Sequence, residues 1–366
     1  MKRSEKGGRS LAWRWRGLIS GLVIGSALLA AQQIVKAANA RPAESLPFAE
    51  SAYVRADTPE AYAAAMMSGG PPPDGIPAID EPRFVPAAQA DLEGGDIVMG
   101  FAHNGEARAY PQRIMVWHEI VNDRVGGLNV AVTYCPLTAT AQGFKRGDTT
   151  LGVSGRLLNS NMVMFDRETR SYFSQIPALG IQGDHIHRTL DEVNVIWTTW
   201  ERWVAAYPET TVLSERTGHL RNYQRDPYGS YNPAGGYYTQ AGTIFPLMHE
   251  SGRHHEKTMV VGGRTSQASA YFVLEELAEA GVQATDSFLA VYDGVLDTGY
   301  IYVTGRDSPV VVPADEGKYR LEGALYSADE LPLTPVVPVE GFYFAWHTFY
   351  PNSEFVSEGT TAPGVE

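Results

Sequence analysis

The sequence predicts an α+β protein, mainly antiparallel β-sheet with short helices, arranged as a two-lobed pseudo-repeat behind an extended arm. Three observations carry that expectation. Tight-turn pairs separate short runs of β-branched and aromatic residues, as around Asn104-Gly105 in Ile97–Pro111 and around Gly126-Gly127 in Ile120–Cys135. Helical spacing persists only over short stretches, such as Pro111–Ile120 with Ile114 and Trp117 on one side. The pattern Trp-x-x-x-Tyr-Pro occurs twice, at Trp203–Pro208 and Trp346–Pro351.

From the N-terminus, residues 1–40 read as a secretory signal peptide. Lys2, Arg3, Lys6, Arg9, Arg14 and Arg16 precede an apolar run from Gly17 to Ala31, and Ala38-Asn39-Ala40 forms a small-x-small cleavage pattern. That run is shorter than the roughly 20 residues of a membrane span. The expectation is a periplasmic or extracellular protein with no membrane association after cleavage. The segment holds seven Lys/Arg and one Glu, so its removal takes the net charge from −13 to −19. Such acidity argues against nucleic acid as a partner.

Residues 41–95 form the expected arm. They are rich in Pro, Ala and Gly, with one short helix near Thr58–Met67 capped by Thr58 and opened by Pro59. The first lobe is placed at 96–215 and a divergent second lobe at 216–366. In the first, Ala109-Tyr110 leads into a helix and a later strand ends at Cys135. In the second, Ala270-Tyr271 leads into a helix and a strand ends at Asp293. This register sets Glu279 opposite His118 and Asp293 opposite Cys135. Only the first lobe then carries a thiol and an imidazole.

Cys135 is the only cysteine, so no internal disulfide is available. Alternation along Val130–Cys135 puts Val130, Val132 and Tyr134 on one face, and Ala131, Thr133 and Cys135 on the other. That second face is small and partly polar, suited to a crevice wall. Pro136 ends the ladder, having no N–H to donate.

Several blocks are together similar to an exported bacterial and archaeal family of unknown function with a Tyr-Cys-Pro-Leu signature. They are "DGIPAIDEPRF" at 74–84, "GEARAYPQRIMVWHEIVND" at 105–123, "VAVTYCPLTATAQGF" at 130–144, "GVSGRLLNSNMVMFDRETRSYFSQ" at 152–175, "DPYGSY" at 226–231 and "FYFAWHTFYPNSEF" at 342–355. Members often read Cys-Pro-Leu-Cys or Cys-Pro-Leu-Thr-Gly. This chain has Thr138 and Ala139 there, so a Cys-x-x-Cys dithiol is excluded. The resemblance implies no assigned chemistry.

Three readings of Cys135 stay open. The first is a buried, inert side chain, since free cysteine is among the most buried residue types. The second is a soft-metal or redox site, copper before zinc, with His118 and Met164 as further ligands. The third is a thiol nucleophile activated by His118, with Glu119, Asp123, Asn122 or Asn159 orienting the imidazole. Thr138 and the N–H groups after Pro136 would then bind an oxyanion. Asn159, Asn161, Asp166 and Glu119 are expected to line the same crevice. His185 and His187 form a weaker candidate pair, and no H-E-x-x-H or zinc-finger spacing occurs. A Cys135-centred metal or redox site is the leading expectation.

Overall fold

The computed structural model describes residues 45–305 and 310–356; the expected signal segment and its cleavage pattern lie outside the described residues. Mostly antiparallel sheets and five seven-residue α-helices make up the fold of the described residues. Among the described residues, no helix is long and apolar enough to cross a membrane.

The first repeat opens with the hairpin β1 (Ile97–His103) and β2 (Glu106–Pro111). Asn104 and Gly105, at φ 46° and 79°, form its turn, the left-handed pair that a two-residue hairpin requires. Helix α1 (Gln112–His118) follows, then β3 (Ile120–Val125), β4 (Leu128–Cys135) and β5 (Thr140–Lys145). The second repeat has the same order. Strands β6 (Met259–Arg264) and β7 (Ser269–Val273) lead into α2 (Leu274–Ala280), then β8 (Val282–Ala284), β9 (Phe288–Asp293) and β10 (Thr298–Val303).

Each repeat also closes alike. Ile196–Thr199 pairs with β1, the helix Trp200–Ala206 crosses, and Thr211–Leu213 pairs in parallel with β2. Val339–Phe342 pairs with β6, the helix Tyr343–Phe349 crosses, and Glu354–Phe355 pairs in parallel with β7. Trp203 and Trp346 are the pivots. A Cβ on Gly100 would sit 2.2 Å from Trp203, and one on Gly262 would sit 2.4 Å from Trp346. Both indoles donate to a hydroxyl seven residues on, Thr210 at 2.9 Å and Ser353 at 2.9 Å. Trp197 lies on a strand rather than on the helix with Trp200 and Trp203, and all three are buried.

The pairing corrects one register. Ile120 pairs with Thr133, and Val282 with Val291. Cys135 pairs with Thr140, and Asp293 with Thr298. Asp293 therefore occupies the place of Cys135, as expected. At the helix end, however, His118 corresponds to Ala280 and Glu119 to Gly281, one residue from the sequence alignment. Side-chain similarity at Ala-Tyr misled it, because Ala109 pairs with Gly100 whereas Tyr271 pairs with Gly262.

The repeats differ most in an insertion. Between β5 and Glu192, the first carries an antiparallel sheet of Leu151–Leu158, Asn161–Asp166, Tyr172–Ser174 and Leu179–Gln182. It covers the face of β4 that bears Cys135. Val130, Val132 and Tyr134 pack instead with Ile114 and Met115 of α1. Alternation along β4 is as expected, but the second face is no open crevice wall: Ala131, Thr133 and Cys135 are 0–1% exposed. A buried ion pair, Arg264 with Glu192 at 2.9 Å, pins the repeats together. The arm's Tyr53 ring stacks 4.4 Å from that guanidinium.

Candidate functional site

Cys135 is the last residue of β4, and its position is fixed by the turn that follows. Ala139 adopts φ 51°, and Thr138 donates its N–H to the Cys135 carbonyl at 3.2 Å. Asn161 Nδ2 donates to Thr138 Oγ1 at 3.0 Å and to Gln175 Oε1 at 2.7 Å. Gln175 Nε2 donates to Thr133 Oγ1 at 2.8 Å. From the second repeat, Phe342 N donates to the Thr138 carbonyl at 3.0 Å. Thr138 and Asn161 thus hold the turn rigid.

Cys135 is 1% exposed, and its Sγ donates to the Ser160 carbonyl oxygen 3.9 Å away. Burial pushes the thiol up to about 11, and the nearby Glu119 carboxylate adds to the rise. The polar groups of Thr138, Met162 and Leu137 nearby oppose it in part, while the Thr138 hydroxyl itself donates to the Cys135 carbonyl at 3.4 Å.

Glu119 is the unexpected member. It ends α1 in the left-handed region, φ 59° and ψ −27°, donating its N–H to Met115 O at 2.7 Å. Its carbonyl accepts from Tyr134 N at 2.8 Å. Gly281 makes the same bonds, to Leu277 O at 2.8 Å and from Tyr292 N at 2.9 Å, at φ 72°. A residue with a Cβ costs roughly 1–2 kcal/mol in this conformation, which a glycine avoids. The glutamate is nonetheless 8% exposed. Among the described residues its carboxyl has no hydrogen-bond or ion-pair partner. Burial alone raises it to about 8.

His118 is turned elsewhere. Nδ1 donates to the Pro77 carbonyl at 2.7 Å, so Nε2 accepts from the Tyr223 hydroxyl at 2.7 Å. Burial lowers it to about 4. With both nitrogens engaged, the structure does not bring this imidazole to the thiol. Met164 shares an apolar cluster with Cys135 and Met162. Among the described residues, no group of three His, Cys, Asp or Glu is placed to hold a metal. His185 packs on Phe48 at 4.9 Å, whereas His187 faces Glu60 at 2.9 Å, so that pair is split.

The asparagines and Asp166 have structural partners. Asn159 and Ser160, at φ 56° and 59°, form the turn beside Cys135. Asn159 Oδ1 accepts from Met248 N at 2.9 Å, and Ser160 Oγ donates to Phe245 O at 2.8 Å. Asp166 organises its own turn, accepting from Thr169 N at 2.7 Å and Thr169 Oγ1 at 2.6 Å.

These contacts reveal a covering segment, residues 217–248. Its Tyr228 lies close enough to Glu119 and Cys135 for their charges to interact; burial first, then those two groups, raise its phenol. Asp226 Oδ1 accepts from Tyr228 N at 2.7 Å, while Oδ2 accepts from Gln112 Nε2 at 2.8 Å and Tyr238 OH at 2.8 Å. Tyr237 donates to the Leu137 carbonyl at 2.8 Å. Nothing local in the sequence places Tyr228, or its neighbours Tyr237 and Tyr238, at this position. The available signal was the "DPYGSY" block, but nothing local links it to a cysteine so distant in the chain.

Fold and surroundings together define a class: an internally duplicated, mainly antiparallel α+β protein with a single buried cysteine under a tyrosine-bearing segment. Residues 73–353 match the family model DUF3179, described as a protein of unknown function, and the chain belongs to that family. No curated protein and no solved structure matches it significantly.

Proposed function

We propose that this is an exported thiol protein in which Cys135 acts as nucleophile or redox centre and Glu119 accepts its proton. The observation that supports it most is Glu119 itself. A largely buried glutamate in a left-handed cap lies within electrostatic reach of the only thiol, and the matching turn of the second repeat folds with Gly281 and Asp293 instead. An inert core cysteine needs neither the strain nor the acid.

At neutral pH the resting site holds a thiol and a protonated carboxyl. Moving the thiol proton onto ionised Glu119 costs the gap between about 11 and about 8, or ~4 kcal/mol. The thiolate so formed is intrinsically more nucleophilic than one of low pKa. The geometry favours this chemistry over copper ligation, because the expected imidazole ligand is committed to Pro77 and Tyr223. It also favours it over acyl transfer, because Thr138 N–H is committed to the Cys135 carbonyl.

The test is alkylation of Cys135 by iodoacetamide in wild type and Glu119→Gln. A base predicts slower alkylation in the variant. A carboxylate that merely repels the thiolate predicts faster alkylation, because its removal lets the thiol ionise more readily. That second result would refute the reading.

A further inference from the structure

We infer that the first repeat carries a second site, a cavity built on Gln112 and Asp226 that binds the ammonium or guanidinium group of an organic cation. The inference is independent of the chemistry proposed for Cys135, since it uses neither the thiol nor Glu119.

A cavity of about 260 Å³ lies between the start of β1, the start of α1 and the covering segment, with Asp96, Gln112, Tyr223, Asp226, Ser230 and Tyr231 on its wall. Two of the blocks singled out in the sequence meet there. Gln112 comes from 105–123, and Asp226, Ser230 and Tyr231 come from "DPYGSY". The second repeat lacks the central side chain, because α2 begins with Leu274 where α1 begins with Gln112. The duplicated frame therefore folds without a polar group at this position.

The wall presents acceptors without partners. Gln112 is 8% exposed, and its donor end fixes the amide: Nε2 donates to Asp226 Oδ2 at 2.8 Å and lies 3.3 Å from Tyr134 OH and 3.4 Å from Tyr238 OH. Oε1 is the end left over, with no hydrogen-bond partner among the described residues, whereas a buried carbonyl is ordinarily satisfied. Asp226 accepts three hydrogen bonds, from Tyr228 N at 2.7 Å and from Gln112 and Tyr238 at 2.8 Å each. A carboxylate offers about four acceptor positions, so one stays open. Asp96 Oδ2 accepts only from Glu93 N, at 2.9 Å. Arg113 is the one cation on the wall, and it is committed to the Asp91 carbonyl at 2.6 Å and to Glu215 at 3.1 Å.

Open acceptors of net negative charge call for donors that carry positive charge. Ammonium and guanidinium groups have donors and no acceptor, and their hydrogen bonds to a carboxylate are charge-assisted. Tyr223 and Tyr231 add aromatic wall, which attracts a cation. An anion would face two carboxylates, and an apolar ligand would leave Gln112 Oε1 unmet. The volume falls below the roughly 300 Å³ at which sites for drug-sized ligands begin, so the cavity holds one cationic head on a short chain. Such a head belongs either to a free amine or guanidine, or to a lysine or arginine side chain of a peptide.

Isothermal titration calorimetry of the full chain at low salt tests this with n-butylamine, n-butylguanidine and neutral n-butylurea, which keeps the planar shape without the charge. At least one of the two cations should bind at least tenfold more tightly than the urea. Asp226→Asn and Gln112→Leu, the second giving α1 the leucine of α2, should each weaken that cation at least tenfold, with near-UV circular dichroism confirming the fold. Both residues also brace the covering segment, so Asp96→Asn supplies a milder variant, expected to weaken binding severalfold. Equal binding of the urea, no binding of either cation, or affinity unchanged in the folded variants would overturn the inference. A capped Gly-Arg-Gly peptide separates the two sources. Binding as tight as that of butylguanidine assigns the site to a basic side chain of a peptide, whereas cation binding without peptide binding assigns it to a free small cation.

Discussion

Replacing Glu119 with glycine should stabilise the protein, and by an amount that grows with pH. Two pH-independent effects nearly cancel. Relief of left-handed strain gives back roughly 1–2 kcal/mol, while loss of two buried methylenes takes away about 1.6 kcal/mol. What remains is ionisation. The folded-state value of about 8 lies above the unfolded value of about 4.3. Between them the folded chain holds a proton that the unfolded chain has released. Stability therefore falls with rising pH across that window, by about 1.4 kcal/mol per unit. At pH 7 the wild type has lost roughly 3–4 kcal/mol relative to acid conditions, and the loss is complete above about pH 8. Glu119→Gly removes this slope. Glu340, also raised to about 8 by burial, contributes a similar slope to both proteins and drops out of the difference. Urea unfolding at pH 5, 6, 7, 8 and 9 measures it. The variant should match wild type within about 1 kcal/mol near pH 4.5–5 and exceed it by several kcal/mol at pH 8. Parallel curves would mean that the carboxyl is not alone and buried, and the proposed pair would lose its main support.

Other perturbations test the frame around the site. Glu192→Gln strands the buried Arg264 charge and should cost about 3–5 kcal/mol in urea unfolding; Glu192→Leu with Arg264→Met should cost much less. Gly100→Ala and Gly262→Ala each drive a methyl into a tryptophan ring, and each should destabilise by at least about 1–3 kcal/mol. Similar losses at the two sites would bear out the equivalence of the repeats. Tyr223→Phe removes the hydroxyl between His118 and Thr217, worth roughly 1 kcal/mol, and should speed iodoacetamide labelling of Cys135 by loosening the covering segment. His118→Ala should leave any copper affinity of Cys135 unchanged in a titration monitored by thiolate-to-copper absorbance; a loss of affinity would put the imidazole back at the sulfur.

Much of the frame is written locally. Asn104-Gly105 and Gly126-Gly127 can populate positive φ, so the hairpins follow from neighbouring residues. Thr58 and Pro59 start their helix for reasons contained within one turn, and Thr58 Oγ1 accepts from Ala61 N at 3.2 Å as a cap should. Period-two alternation sorted Tyr134 from Cys135, and the repeated Trp-x-x-x-Tyr-Pro marked equivalent pivots. The site is legible only in part. Cys135 stood out by being single, and Glu119 by lying next to His118, but adjacent helix-end residues look equally eligible in a string of letters. Only the folded backbone turns His118 toward Pro77 and Tyr223 and places Glu119 in a left-handed cap beside the thiol. Burial of Cys135 was one of three open readings that the sequence could not decide between, because the sheet from Leu151 to Gln182 and the covering segment 217–248 come from elsewhere in the chain. Turns and periodicity are short-range properties of sequence, whereas the chemistry of a carboxyl or a thiol depends on what distant segments remove from water.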